Sequence, residues 1–482
     1  MAALLGSLLV AAVLVVRDAQ SSSQRLKNID LTAVLATAEK RFDGRIAERL
    51  RDGTIRLLRC DWLASSASDA LLGRDPTTGR PIILRRQEMP AEAYFSPEEA
   101  EALFKQGDRS VLVLSYGWHT CPHSDPHGVT LAKVRHYLRG DPSTSGCAMF
   151  WDIASRPQPE QTDEEDAIGK KALECMSMFY ASVTGTTVLM QREVPSRPSA
   201  YDGKIRLFGV AAALRDEAAL RTDLTRFGTV TACEIRPALV DLEDGPGRRI
   251  AKVKAAHADV AFATHGEAEA ALAGLAKQHR GAALFYNATP YEDKGWCLVE
   301  GCSGVVAAHL TKAAKQTALP EKYQQAEAAR AKLIDITGCT TADAKPEVLE
   351  RSEEPTAVLE ETMRMLARCR FTFPSDRTMA EEMMADFEWT IKSAMEQAEL
   401  AQNAHVLTID PKLLRSESAE RDEASVDPGG VELVRSEPFT QPAEAAELRA
   451  DLEAAKAEIA RLQQAATSMP AAVQSESAAA HV

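Results

Sequence analysis

Three short apolar runs of strand type punctuate the chain: Val111-Leu-Val-Leu-Ser-Tyr-Gly-Trp118, Met149-Phe-Trp-Asp152 and Thr187-Val-Leu-Met190. Helical stretches separate them, and Ile168, Ala172, Cys175 and Phe179 recur on one face of the helix before the third run. This alternation predicts an α/β domain, a parallel sheet flanked by helices. Upstream, residues 21–105 read as an N-terminal α/β region. There Ile55–Trp62 has strand character, Asp75-Pro-Thr-Thr-Gly79 is a turn, and Ser96-Pro-Glu-Glu99 starts a helix with a cap, a proline and acids in the first turn.

The rhythm breaks between Pro198 and Pro290, where residues 203–288 carry a complete βαββαβ pattern of their own. The strands are predicted at Ile205–Val210, Val230–Ile235, Ala258–Ala263 and Ala282–Tyr286, and the helices at Glu217–Phe227 and Glu267–Ala276. The segment thus divides the α/β domain into residues 106–202 and 289–345. Past Leu310 the chain turns helical and charged, and in a helical region over 346–415 Met363, Leu366, Met379, Met383, Phe387 and Ile391 are the expected buried positions. Residues 416–442 are acidic and Pro/Gly-bearing, the composition of a linker. In 443–467, Ala445, Leu448, Leu452, Ala455, Ile459 and Leu462 alternate spacings of three and four, a coiled-coil seam that implies a homo-oligomer. Residues 468–482 read as a disordered tail.

At 482 residues the chain exceeds one ordinary core, and 45% hydrophobic with 26% charged residues is the composition of a globular protein. The net charge of −14 excludes wholesale coating of nucleic acid. Residues 203–288 differ, with 12 Lys and Arg against 10 Asp and Glu, net +2, which leaves −16 for the remainder. Nine cysteines without a dense framework read as reduced thiols and a cytoplasmic setting. Within the apolar segment 1–20, the unbroken run Met1–Val16 adds a candidate membrane tether or signal, although it is shorter than the roughly 20 residues a span needs.

Candidate chemistry concentrates at Trp296-Cys297-Leu298-Val299-Glu300, which resembles the WCLxE signature of TIR domains. The resemblance covers roughly residues 109–192 and 289–310, and it implies that Glu300 serves NAD cleavage, as in some members of that family. Ser115, Trp118 and Asp152, at or beyond strand carboxyl ends, would line the ligand crevice together with Trp296. A carboxylate at 300 would stabilise the oxocarbenium charge that develops as nicotinamide leaves. The chain departs from the TIR pattern in having Tyr-Gly-Trp-His after Ser115, and no later strand is legible beyond Leu310. Trp151–Gln158 resembles the WDxxxxxQ stretch of heterokaryon-incompatibility domains equally well. His119, Cys121, His123 and His127 are zinc-type ligands, yet no second cysteine pair stands at finger spacing and Pro122 and Pro126 make a turn-rich loop, so no metal is assigned.

Leu220, Leu224, Phe227, Gly228 and Val230, with Ala268, Ala271 and Leu275, give residues 203–288 a resemblance to the RNA-recognition motif (RRM), a ferredoxin-like α+β module. The resemblance implies base stacking on Phe208. It also puts Asp259 and Ala261 where the family carries aromatics, so most of the stacking platform is missing. Arg206, Arg248, Arg249, Lys252 and Lys254 are the candidate phosphate contacts. The expected function is a signalling or regulatory assembly protein whose RRM-like module gives weak RNA binding or protein contacts. The alternative is an NAD-cleaving hydrolase using Glu300, with NAD as substrate.

Overall fold

A computed structural model describes residues 31–407 except 122, 160, 211–213, 215, 237–241, 244–248, 251–255, 279–280, 315–319, 351–353 and 372–373. The protein is mixed α/β. The first helix, α1 (Leu31–Arg51), buries Leu31, Val34, Leu35, Ala38, Phe42, Ile46 and Leu50, a stripe at spacings of three and four. Next come β1 (Leu58–Arg59), shorter than the strand expected over Ile55–Trp62, and α2 (Pro97–Lys105), which opens on a reciprocal Ser96/Glu99 capping box. The three apolar runs become β2 (Val111–Tyr116), β3 (Ala148–Phe150) and β4 (Thr186–Gln191), separated by α3 (Val129–Gly140) and α4 (Asp163–Ala181).

The chain then builds a separate sheet from β5 (Lys204–Phe208), α5 (Glu217–Leu224), β6 (Val230–Arg236), β7 (His257–Phe262), α6 (His265–Gln278) and β8 (Gly281–Leu284). It returns through α7 (Gly295–Ala314), β9 (Leu333–Asp335), β10 (Glu347–Val348), α8 (Pro355–Leu366) and α9 (Pro374–Leu407).

The larger sheet has the order β1-β3-β2-β4-β9-β10, with β3, β2, β4 and β9 parallel and an antiparallel strand at each edge. Every residue of β2 and β4 is buried, as expected of a parallel sheet covered on both faces. Alternation sends Val111 and Val113 into the core shared with α1, α4, α7, α8 and α9, and Leu112 and Leu114 into the core shared with α3. The N-terminal helix and the helical region therefore complete the same core as the three strands. Phe42 of α1 meets Phe387 of α9 with ring centroids 5.5 Å apart.

Two expectations change here. Past Leu310 the sheet continues with β9, whose Leu333, Ile334 and Asp335 pair in parallel with Val188, Leu189 and Met190. A three-residue strand leaves too little periodicity to read from sequence. The membrane tether is withdrawn: among the described residues no helix is long and apolar enough to cross a membrane, and Met1–Val16 lies outside them. The linker at 416–442, the coiled coil at 443–467 and the tail also lie outside the described residues.

The smaller sheet is wholly antiparallel in the order β8-β5-β7-β6. Its first and last strands are neighbours, so chain entry and exit lie side by side. Ile205, Leu207, Leu220, Leu224, Ala258, Val260, Ala268, Ala271 and Leu275 form its own core. Gly203 opens the module at φ 69°, and a Cβ there would stand 2.2 Å from the Phe262 carbonyl oxygen, so glycine is required.

Candidate functional site

Ser115 is the penultimate residue of β2, and α7 packs on this sheet closely enough that a Cβ on Gly304 would meet Leu333 of β9 at 2.8 Å. This approach brings the Glu300 carboxyl against the sheet. Ser115 Oγ donates to Glu300 Oε2 at 2.6 Å and also lies 2.6 Å from the Tyr291 hydroxyl. Tyr180 of α4 hydrogen-bonds Glu300 from the side, while its own hydroxyl donates to the Leu114 carbonyl at 3.0 Å. Glu300 is only 8% exposed, and Ser115, Tyr180 and Tyr291 are buried with it.

Burial pushes the Glu300 carboxyl up to about 8; the Ser115 hydroxyl opposes that rise, and the charge of Asp152 adds to it. At neutral pH Glu300 is therefore protonated. Because Ser115 directs its proton to Glu300, Tyr291 is the donor to Ser115, and Tyr180 gives its own proton to the Leu114 carbonyl.

Asp152 is saturated separately. Its Oδ1 accepts from the Tyr116 hydroxyl at 2.8 Å and from the Ile153 amide at 2.7 Å, and its Oδ2 accepts from Trp118 Nε1 at 2.7 Å. The Gln158 amide returns to the Asp152 carbonyl at 2.9 Å and closes the turn that Trp151–Gln158 makes. Ser115 with Glu300, and Trp118 with Asp152, thus form two pairs near the carboxyl ends of β2 and β3. Trp296 does not join them: its Nε1 donates to Asp376 Oδ2 of α9 at 3.0 Å, and its ring meets Phe371 edge-on.

The histidine-rich loop has a different occupation. His119 stacks on Tyr286, His123 Nε2 donates to the Ile83 carbonyl at 2.8 Å, His127 Nδ1 lies 3.3 Å from Asp75, and Cys121 Sγ donates to the Leu284 carbonyl. Burial lowers His119 to about 3, so its ring is neutral. Among the described residues no group of three His, Cys, Asp or Glu is placed to hold a metal ion. The loop instead seats the inserted module. Thr120 bridges to Tyr286 beyond the β8 edge, the Asn287 amide donates to the His119 carbonyl at 2.7 Å, and Tyr201 stacks on Phe285. Lys294, 5% exposed, donates to the Trp118 and Asn287 carbonyls at 2.8 and 3.2 Å and ties the loop to the returning chain.

On the module itself, Arg206 holds Asp259 through two parallel hydrogen bonds, Nε to Oδ1 at 2.6 Å and Nη2 to Oδ2 at 2.7 Å. The pair sits across the β5–β7 register on the face turned away from the module's helices. Phe285 lies under the Arg206 guanidinium at 5.1 Å, and Arg206 is 9% exposed. Phe208, half-buried, lies on the same face. Glu234 and Arg236 of β6 are exposed beside it, with Arg236 Nε 3.5 Å from Asp259 Oδ2. Arg249 falls on a short described strand, whereas Arg248, Lys252 and Lys254 lie outside the described residues.

Sequence reasoning missed Tyr180, Tyr291 and Lys294. Tyr180 adjoins the core residue Phe179, and only the pairing of β2 with α4 and α7 reveals its role. Lys294 carried no signal, because a lone lysine before a helix reads as solvated. Comparison of the chain with protein-family models, with characterised proteins and with solved structures returns no match.

Proposed function

We propose that the protein is a regulatory assembly protein, in which the α/β body carries an RRM-like module and presents its sheet face to protein partners. The observation that carries this reading is the Arg206–Asp259 pair. An RNA-stacking face needs open aromatic rings and uncommitted cations. Here the central cation is held by a carboxylate on the next strand, and the neighbouring exposed side chains are Glu234 and Arg236. Alternating charges of both signs suit a protein surface of complementary pattern rather than a polyanion. Self-association through 443–467 would multiply such contacts.

NAD cleavage is the second reading, favoured by the two pairs that Ser115 with Glu300 and Trp118 with Asp152 form. In the closed arrangement Glu300 is neutral and buried, so it offers no charge to a ribosyl cation until α7 moves.

The test is fluorescence anisotropy of labelled single-stranded RNA with the full chain at low salt. This reading requires weak binding that Phe208→Ala leaves unchanged. Tight binding that falls steeply with salt and is lost in Phe208→Ala reassigns the module to RNA. Nicotinamide release from NAD, abolished in Glu300→Gln, decides for the second reading.

A further inference from the structure

Where the inserted module joins the body, a cleft of about 400 Å3 opens between them. Its wall is drawn from the entering chain (Arg197), the start of α6 (His265, Glu269), the returning chain (Asp293) and the turn between α8 and α9 (Arg368, Arg370). The volume falls within the range of small-molecule sites, about 300 to 1,000 Å3.

The three guanidinium groups differ in how far they are occupied. Arg197 is committed: its Nε pairs with Asp202 at 2.7 Å, and its Nη1 lies 2.7 Å from His265 Nε2. A guanidinium can only donate, so His265 Nε2 accepts and the ring proton sits on Nδ1. That Nδ1 is buried with no hydrogen-bond partner. Arg368 and Arg370 are exposed, and no ion pair or side-chain hydrogen bond to another described residue engages either guanidinium. Backbone bonds hold this turn in place, since the Arg370 amide donates to the Asp293 carbonyl at 2.9 Å and its carbonyl accepts from Gly295 at 3.1 Å. The cleft therefore presents, on a fixed backbone, two guanidinium forks that no described residue engages, with His265 also in its wall.

We propose that this cleft binds a small phosphorylated molecule, with Arg368 and Arg370 clasping the phosphoryl oxygens. Guanidinium forks match phosphate geometry bidentately, and charge-assisted bonds of this type are the strong ones. Glu269 and Asp293 on the wall disfavour the repeating charge of a nucleic-acid backbone, so the cleft selects a compact phosphoryl group. A ligand there touches the module and the body at once and fastens one to the other. The proposal does not depend on what the module's open face contacts.

The experiment is calorimetric titration of the full chain with inorganic pyrophosphate in low-salt, phosphate-free buffer, alongside Arg368→Gln/Arg370→Gln and alongside sulfate. The expected result is saturable binding of pyrophosphate that the double variant weakens by about tenfold or more, with an unchanged melting temperature because both side chains are exposed. Hydrogen exchange around residues 265–269 should slow on binding. No saturable heat, equal binding by the double variant, or equal affinity for sulfate overturns the proposal.

Discussion

The two sheets each place an acid where a resemblance expects chemistry, and they neutralise it in opposite ways. In the larger sheet burial keeps Glu300 a neutral acid, with the Ser115 hydroxyl donating to it. In the smaller one Asp259 is satisfied as an anion by a guanidinium fork on the open face. The first arrangement is sealed and can act only after opening. The second lies at the surface, fixed in geometry and ready to meet a partner without rearrangement.

The largest expected effect tests the sealed acid. Glu300→Ala should cost about 3 to 5 kcal/mol in urea unfolding, because it leaves a cavity and removes the acceptor of the Ser115 hydroxyl. Little change would show that the hydroxyl chain does not hold α7 to β2.

Next is the pH dependence. The folded-state value of Glu300, about 8, lies above the roughly 4.3 of an unfolded carboxyl, so the folded state binds the extra proton between them. Stability from this group is complete below about pH 4 and declines as pH rises through 8. Unfolding at pH 5 and pH 9 should reveal a loss of about 4 kcal/mol that Glu300→Gln largely removes. Identical profiles for the two proteins would mean that Glu300 is ionised in the folded state.

A smaller effect is expected on the module. Asp259→Ala leaves Arg206 largely buried with only the Phe285 ring beneath it, and should cost about 1 to 3 kcal/mol by thermal melting. A neutral result would indicate that Arg206 turns to solvent, which removes the observation against phosphate contact. The smallest effect on stability is expected for Glu234→Arg/Arg236→Glu, within about 0.5 kcal/mol, since both side chains are exposed. If the open face meets a protein, this reversal abolishes binding of the cognate partner while the melting curve stays in place.

The contrast also explains what the sequence could reveal. Strands β2 and β4 were legible because six consecutive buried residues outlast any loop. The module was legible because Leu220, Leu224, Ala268, Ala271 and Leu275 fall at helical spacing, and all five are buried. The pattern in α9 was read slightly out of register: Phe387 and Ile391 are buried, yet Ala380 and Met384 take the places expected of Met379 and Met383. Strands β9 and β10, of three and two residues, were too short to stand out. The partners of Glu300 come from β2, α4 and the turn before α7, so only tertiary pairing assembles them. Trp296 adjoins Cys297 in sequence, but helical geometry turns it toward α9.

The meeting of Phe42 with Phe387 bears on synthesis. The body's core needs both Phe42 of α1 and Phe387 of α9, so it cannot close until the whole stretch between these two helices has left the ribosome. The module's six elements are contiguous and can close as soon as Leu284 emerges. The inserted segment is thus expected to fold before the body that surrounds it. The exposed halves of the larger sheet must wait beside it, the period when a chaperone is most needed.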